Sequence, residues 1–288
     1  MTVSLAPAKI NLSLEVLGRR DDGYHTLRSV MVPIGLLDRI EFERKRDGAA
    51  VVVDAPQEIG ADNLVSRALA AAGASGLDVR VTKNIPIGGG LGGGSSDAAA
   101  VLRAAMSGDL GPTACDDWLR AARDLGSDVP FFLTGTAALV EGTGERVTAL
   151  GALPNWWAVV VRPHASVPTA EAYRLLDASR AEAPSSRPRN ESSSLRAVDA
   201  LQRKDFAALQ RELNNDFHEP ILRAFGEIAR ADAALRAAAG NALLSGSGSC
   251  LFALFEDERA ARRAAERVDR ASYEALFVVP FAQGDAWR

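Results

Sequence analysis

The sequence predicts an α+β protein of two domains, on three observations. Strand and helix patterns are interspersed without the strict alternation that a doubly wound parallel sheet requires. The chain has 288 residues, about two typical domain lengths. Pro154-Asn155 falls between two strand-like stretches and divides the chain into residues 1–153 and 154–288.

Taken in order, Ile10, Leu12, Leu14 and Val16 alternate with Lys9, Asn11, Ser13 and Glu15, which makes a strand with one apolar and one polar face. Asp22-Gly23 is a turn, followed by Tyr24-His25. Residues 39–44 and 50–53 read as further strands. Asp62-Asn63-Leu64 is a capped start to an Ala-rich helix that ends near Gly73. Leu77, Val79 and Val81 alternate again, and the strand runs into Lys83-Asn84-Ile85-Pro86. A glycine run and helices over 98–106 and 113–125 follow, then a short apolar segment at 131–133 and a strand at 136–141. Beyond the boundary the pattern predicts a strand at 156–161 and a helix at 169–176. Residues 181–194, with Pro184, Pro188 and several serines, read as a loop or linker. Helices at 206–213 and 220–239, strands at 242–244 and 250–255 around Gly246-Ser247-Gly248-Ser249, a helix at 258–268 and a strand at 275–279 complete the chain.

Composition narrows the function. Hydrophobic residues make up 47% and charged residues 24%, ordinary globular values. Two separated cysteines, Cys115 and Cys250, exclude a disulfide scaffold and a four-cysteine zinc module. His164 and His218 are lone residues, and no metal cluster is predicted. The 33 basic and 37 acidic residues give a net charge of −4, which disfavours a nucleic-acid-wrapping surface. The N-terminus lacks the basic and apolar regions of a signal peptide, and no apolar run reaches the ~20 residues of a membrane helix. A cytoplasmic location is expected, with no nucleic acid, no membrane and no obligate protein partner.

Gly88 to Gly94 contains six glycines in seven positions. Glycine permits positive φ and a bare approach of backbone to ligand. Strand, glycine loop and helix together bring N–H groups and a helix N-terminus to bear on an anion, the arrangement a polyphosphate needs. A plain flexible loop is the competing reading. Gly88, Gly90 and Gly93 fit the dinucleotide fingerprint, but the second strand that fold requires is replaced by helix. No Gly-Lys-Ser/Thr closes a Walker loop, and no G-x-S-x-G elbow occurs.

Pro86 to Ala99, with Ser95-Ser96-Asp97 after the glycines, resembles the nucleotide loop of the GHMP small-molecule kinases. Pro7-Ala8-Lys9-Ile10-Asn11-Leu12, Asp22-Gly23-Tyr24-His25, Gly126-Ser127-Asp128-Val129-Pro130-Phe131 and Ser245-Gly246-Ser247-Gly248-Ser249-Cys250 resemble further family motifs, in the family's order. The resemblance implies a ribosomal S5 domain 2-like N-terminal domain for ATP binding and catalysis, and a ferredoxin-like C-terminal domain for substrate binding. It implies an ATP-dependent kinase of the 2-hydroxyl on a cytidine diphosphate-linked methylerythritol; another small-molecule kinase of the family, or a non-catalytic nucleotide-sensing module on the same fold, is the alternative. Mg2+ is expected with the ATP, and no protein ligand is assigned to it.

Residue by residue, the resemblance makes Lys9 and Asp128 catalytic. On pattern alone Lys9 reads as an edge lysine reaching solvent, and Asp128 as a helix cap before Pro130. Phosphoryl transfer to an alcohol needs an acceptor for the hydroxyl proton and charge neutralisation, which a carboxylate beside an ammonium provides. Asn11, Tyr24, His25, Thr169 and Tyr173 are implied to bind the acceptor, with an aromatic face for cytosine. Tyr24-His25 also reads as a surface hairpin tip. Asn63, Lys83, Pro86, Gly88, Gly89, Gly90, Leu91, Gly92, Gly93, Gly94, Ser95 and Ser96 are implied to bind ATP, and Asn63 also reads as a helix cap.

Overall fold

The computed structural model describes residues 1–45, 51–55, 60, 62–182 and 192–284. The first strand, β1 (Thr2–Arg19), is longer than its alternating stretch, and β2 (His25–Arg44) returns antiparallel along its whole length. The turn between them is the Asp22-Gly23 turn, with Gly23 at φ 87°. Both faces of β1 are buried: Ala8, Ile10 and Leu12 in one hydrophobic core, and Lys9, Asn11 and Ser13 also almost wholly enclosed. The polar face is therefore interior, and each of its groups has a partner, as buried polar atoms require.

The sheet continues with β3 (Val51–Asp54), which pairs parallel with β4 (Leu77–Thr82), itself antiparallel to the end of β2. Between them α1 (Leu64–Ala72) starts where Asn63 accepts from the Val65 and Ser66 amides, and stops at Gly73 in the left-handed region. Then come α2 (Gly93–Met106), α3 (Trp118–Leu125), α4 (Val129–Leu133), β5 (Ala138–Gly142) and β6 (Arg146–Ala149). β5 pairs with the start of β2, and the two-residue β8 (Asn214–Asn215) pairs parallel with β1. The sheet so formed has seven strands among the described residues. Ala98 to Leu102 of α2 are all fully buried, and the small alanines let this helix sit inside the layer.

The remaining half holds β7 (Trp157–Arg162), α5 (Thr169–Glu182), α6 (Ser193–Gln202), α7 (Phe206–Glu212), α8 (His218–Ala224), α9 (Gly226–Ala239), β9 (Leu243–Leu244), β10 (Leu251–Phe255), α10 (Glu258–Ala265) and β11 (Ala275–Pro280). Its sheet runs β11-β7-β10-β9, antiparallel throughout, which is the ferredoxin-like strand order. One core joins the sheets: Ile10, Leu12 and Val32 share it with Val160, Phe252 and Phe281.

Four expectations are corrected. The helix expected over 113–125 starts at Trp118, because the Ala114 amide bonds to the Ala72 carbonyl and Asp117 supplies the cap. The segment 131–133 is helical. The helix expected over 220–239 is two helices, broken where Phe225 is extended (φ −122°, ψ 95°) ahead of Gly226. The expected loop at 181–194 contributes to helices at both ends, with Ser192 as the cap of α6; residues 183–191 lie outside the described residues.

Candidate active site

The glycine run forms a loop whose backbone is fixed by neighbours on two sides. Gly88, Gly90 and Gly92 take φ of 69°, 75° and 72°, so side chains there are disfavoured by backbone conformation. Space is short as well: a Cβ on Gly90 would lie 2.1 Å from the Ser245 carbonyl oxygen. The Lys9 amide donates to Leu91 O (2.9 Å), the Cys250 amide to Gly89 O (3.0 Å) and Ser245 Oγ to Gly90 O (3.0 Å). Carbonyls thus point to the protein, and α2 begins within the glycine run at Gly93. The loop walls a cavity of about 430 Å³ together with Asn63, Lys83, Ile85, Pro86, Ser95 and Asp97.

The structure brings the expected nucleotide residues to this cavity except Ser96, which faces the interior of the layer instead of the cavity wall. Asn63 is both the α1 cap and part of the wall. Lys83 is in the wall, but its ammonium is held by Asp38 and Asp97. Asp38 also accepts from the Asn84 and Ile85 amides, which ties the Lys83–Pro86 stretch to β2. Burial, outweighing the attraction of Lys83, pushes the Asp97 carboxyl up to about 7, and Asp38 adds to the rise. Ser96 is fully buried in α2, and its Oγ has no hydrogen-bond partner among the described residues.

Asp128 occupies the cap position of α4, yet its side chain makes no capping bond. It stands 3.8 Å from Lys9 Nζ instead, with side-chain exposures of 28% for Asp128 and 4% for Lys9. The Lys9 ammonium donates to Asn11 Oδ1 (2.6 Å), which also accepts from the Gly246 amide (2.8 Å). Asn11 Nδ2 donates to Ser29 Oγ (2.8 Å). Asn11, expected at the acceptor, is instead fully buried and outside the wall of the acceptor cavity, and it orients the lysine and joins it to the C-terminal glycine motif. Burial holds the Lys9 ammonium below the ordinary lysine range, and Asp128 opposes that fall.

A second cavity, of about 850 Å³, is lined by Tyr24, His25, Gly126, Ser127, Thr169, Tyr173 and Asp177, with Arg19 and Arg123. The His25 and Tyr173 rings stack at 4.5 Å and 19°, and His25 Nε2 lies 3.0 Å from Asp177 Oδ1. Tyr173 in turn packs edge-on against Phe217. Tyr24, 67% exposed, sits at the hairpin tip on the rim. Thr169 Oγ1 is 3.3 Å from Ser247 Oγ, which ties this wall to the same glycine motif. The two cavities adjoin: Ser95 Oγ of the first lies 3.8 Å from where a Cβ on Gly126 of the second would be.

The family model described as "GHMP kinases N terminal domain" matches residues 63–136, and that described as "GHMP kinases C terminal" matches residues 197–275. The 4-diphosphocytidyl-2-C-methyl-D-erythritol kinase of Cupriavidus metallidurans is 40% identical over 277 residues, 91% of this chain and 87% of the relative. That of Moorella thermoacetica is 39% identical, over 96% of this chain and 98% of the relative. This chain belongs to the GHMP kinase family. Among solved structures, a crystal structure of 4-(cytidine 5'-diphospho)-2C-methyl-D-erythritol kinase superposes with a TM-score of 0.78 at 38% identity, covering 98% of this chain and 100% of that one.

As a GHMP kinase, the chain places at this site several residues that motif reading passed over. Asp38 and Arg162 sit on strands amid apolar residues and carry no spacing signal. Asn215 donates to the Leu244 and Gly246 carbonyls and fixes the C-terminal glycine motif (2.7 and 2.8 Å). Asp177 follows Tyr173 by four, the interval that places two residues on one helix face, and that spacing was the available clue.

Proposed function

We propose that this chain is the ATP-dependent kinase of the 2-hydroxyl of 4-diphosphocytidyl-2-C-methyl-D-erythritol, in the non-mevalonate route to isoprenoid precursors. The observation that carries the reading is the Asp128 carboxylate, which makes no capping bond and stands beside the buried Lys9 ammonium, with its neighbours Ser127 and Pro130 in the wall of the second cavity. The relatives, matched over nearly their whole length, supply the substrate.

In this reading the glycine loop holds the ATP phosphates on its N–H groups and the N-terminus of α2. The acceptor's cytosine binds at His25 and Tyr173, with Tyr24 closing from the rim, and Arg19 and Arg123 face its diphosphate. The 2-hydroxyl oxygen attacks the γ-phosphorus, the bond from that phosphorus to the β–γ bridging oxygen breaks, and the hydroxyl proton passes to Asp128. Lys9 neutralises charge on the transferring group. Residues 1–153 supply the ATP site and catalytic pair, and residues 154–288 supply Thr169, Tyr173 and the loop that braces Lys9.

Mg2+ accompanies the ATP. The described residues contain no cluster of three or more metal-binding side chains. Asp97 is the carboxylate in the nucleotide wall, and its Oδ1 lacks a hydrogen-bond partner among the described residues. With Ser95 it is the donor the chain offers there. No helix among the described residues is long and apolar enough to cross a membrane. The cytoplasm, which supplies ATP, is the compartment this reading requires.

A coupled ADP-release assay with the cytidine-linked acceptor and Mg-ATP tests the reading. Turnover is expected. Turnover of homoserine or mevalonate in its place would overturn the acceptor, and no ATP turnover with any alcohol would overturn the kinase.

A further inference from the structure

Arg162 ends β7 in the ferredoxin-like sheet, with its side chain almost fully enclosed. An arginine is rarely buried without a full set of partners. Here Nη2 donates to the Ile87 carbonyl (3.1 Å), and Nη1 to the Gly88 carbonyl (3.4 Å) and to Ser249 Oγ. Nε faces the Glu274 carboxylate at 3.2 Å, on the side leading out to solvent. One guanidinium therefore touches both glycine motifs, and it reaches the first from the opposite half of the chain.

We infer that Arg162 is a positioning residue that sets the orientation of the phosphate loop's entry peptides. A peptide's C=O and N–H point in opposite directions. Holding the Ile87 and Gly88 carbonyls toward β7 turns the following N–H groups, those of Gly88 and Gly89, away from it. Gly88 is in the left-handed region and glycine is conformationally permissive, so the loop sequence alone does not choose this orientation. The planar fork holds its donors apart at fixed spacing in one plane and so spans neighbouring carbonyls, a geometry that a compact ammonium on a flexible stem does not reproduce. Arg162 touches no residue of the acceptor cavity wall in these contacts, and its effect falls on the nucleotide. The assignment rests on the reading of the glycine loop as the ATP site.

The test is steady-state kinetics with Mg-ATP and the cytidine-linked acceptor, together with calorimetric binding of a non-hydrolysable ATP analogue. Wild-type protein is run in parallel, and its failure to use ATP would overturn the kinase reading. Given wild-type turnover, Arg162→Ala is expected to raise KM for ATP and the analogue's Kd about tenfold, with the acceptor KM within twofold. Arg162→Lys is expected to recover part of that loss. A merely structural arginine would lower the yield of folded protein and leave these ratios unchanged. Should Arg162→Ala fail to fold, Arg162→Lys and Ser249→Ala decide: each is expected to raise KM for ATP about threefold. Unchanged ATP affinity in the folded variants, or equal rises in both KM values, would overturn the assignment.

Discussion

Asp128→Asn keeps the shape of the side chain and removes its charge. The carboxylate it replaces lies 3.8 Å from Lys9 Nζ. Two unit charges at that separation attract by about 4 kcal/mol at an effective dielectric near 20. Partial exposure of Asp128 admits solvent and reduces this, so about 2 kcal/mol of support for the ammonium is the working figure. The same substitution removes the acceptor for the hydroxyl proton, a role that contributes about 10²–10⁴-fold in rate. We expect kcat to fall at least ~100-fold, about 2.7 kcal/mol at 1.36 kcal/mol per tenfold. ATP binding should be nearly kept, because Asp128 does not line the nucleotide cavity. The pH profile adds a second readout. Burial already holds Lys9 low and Asp128 counteracts it; without the carboxylate the ammonium loses its proton at lower pH, so the alkaline limb of kcat moves down. The assay is coupled ADP release across pH, with ATP-analogue binding measured separately. Turnover within threefold of wild type, or an unmoved alkaline limb in a residually active variant, would refute the reasoning.

Three more expectations follow from the same geometry. His25→Ala should lower kcat/KM for the acceptor by roughly 1–3 kcal/mol through a lost buried contact, with KM for ATP unchanged; Tyr173→Phe, which keeps the stacking face, should be nearly silent, and a rise confined to KM for ATP would reverse the two halves of the site. Lys9→Met should abolish turnover while raising Tm, since it removes a buried charge and leaves Asn11 bonded to Gly246; a fall in Tm would show that the ammonium stabilises the fold. Asp97, with its pKa raised from 3.8 to about 7, binds a proton in the folded state that the unfolded state releases. Its stabilising contribution is present below about pH 4 and is lost as pH rises through 7, so Tm of Asp97→Asn measured from pH 5 to 8 should lack a downward slope that wild type shows.

Local chemistry was legible in the sequence. The α1 helix was bounded by Asn63 and Gly73, residues that act on their own neighbours, and both caps are where they were expected. The β1 alternation separated Ile10 and Leu12 from Lys9 and Asn11, but periodicity says which residues share a face and not what covers it. The cover on the polar face is the Gly246 amide for Asn11 and the Ser194 hydroxyl for Ser13, 235 and 181 positions away. Asp128 before Pro130 carried the sequence signature of a cap; only the direction of its carboxylate separates that role from a contact with Lys9. The serines near 192 read as loop because hydroxyls favour loops and caps alike. Here Ser192 caps α6, and Ser192 and Ser193 both bind Glu15 of β1. The break at Phe225 left no proline to mark it.

The closure of β1 by residues so late in the chain also sets a timetable for the lysine at its centre. Lys9 is among the first residues made, and its brace runs through Asn11 to Gly246. At about 5–20 residues per second, roughly ten to fifty seconds of synthesis separate them. Throughout that interval the lysine lacks this brace. The Gly246 amide arrives only when the last third of the chain leaves the ribosome and docks, so a truncated product can hold every residue of the nucleotide loop and still lack the brace on the lysine's partner Asn11.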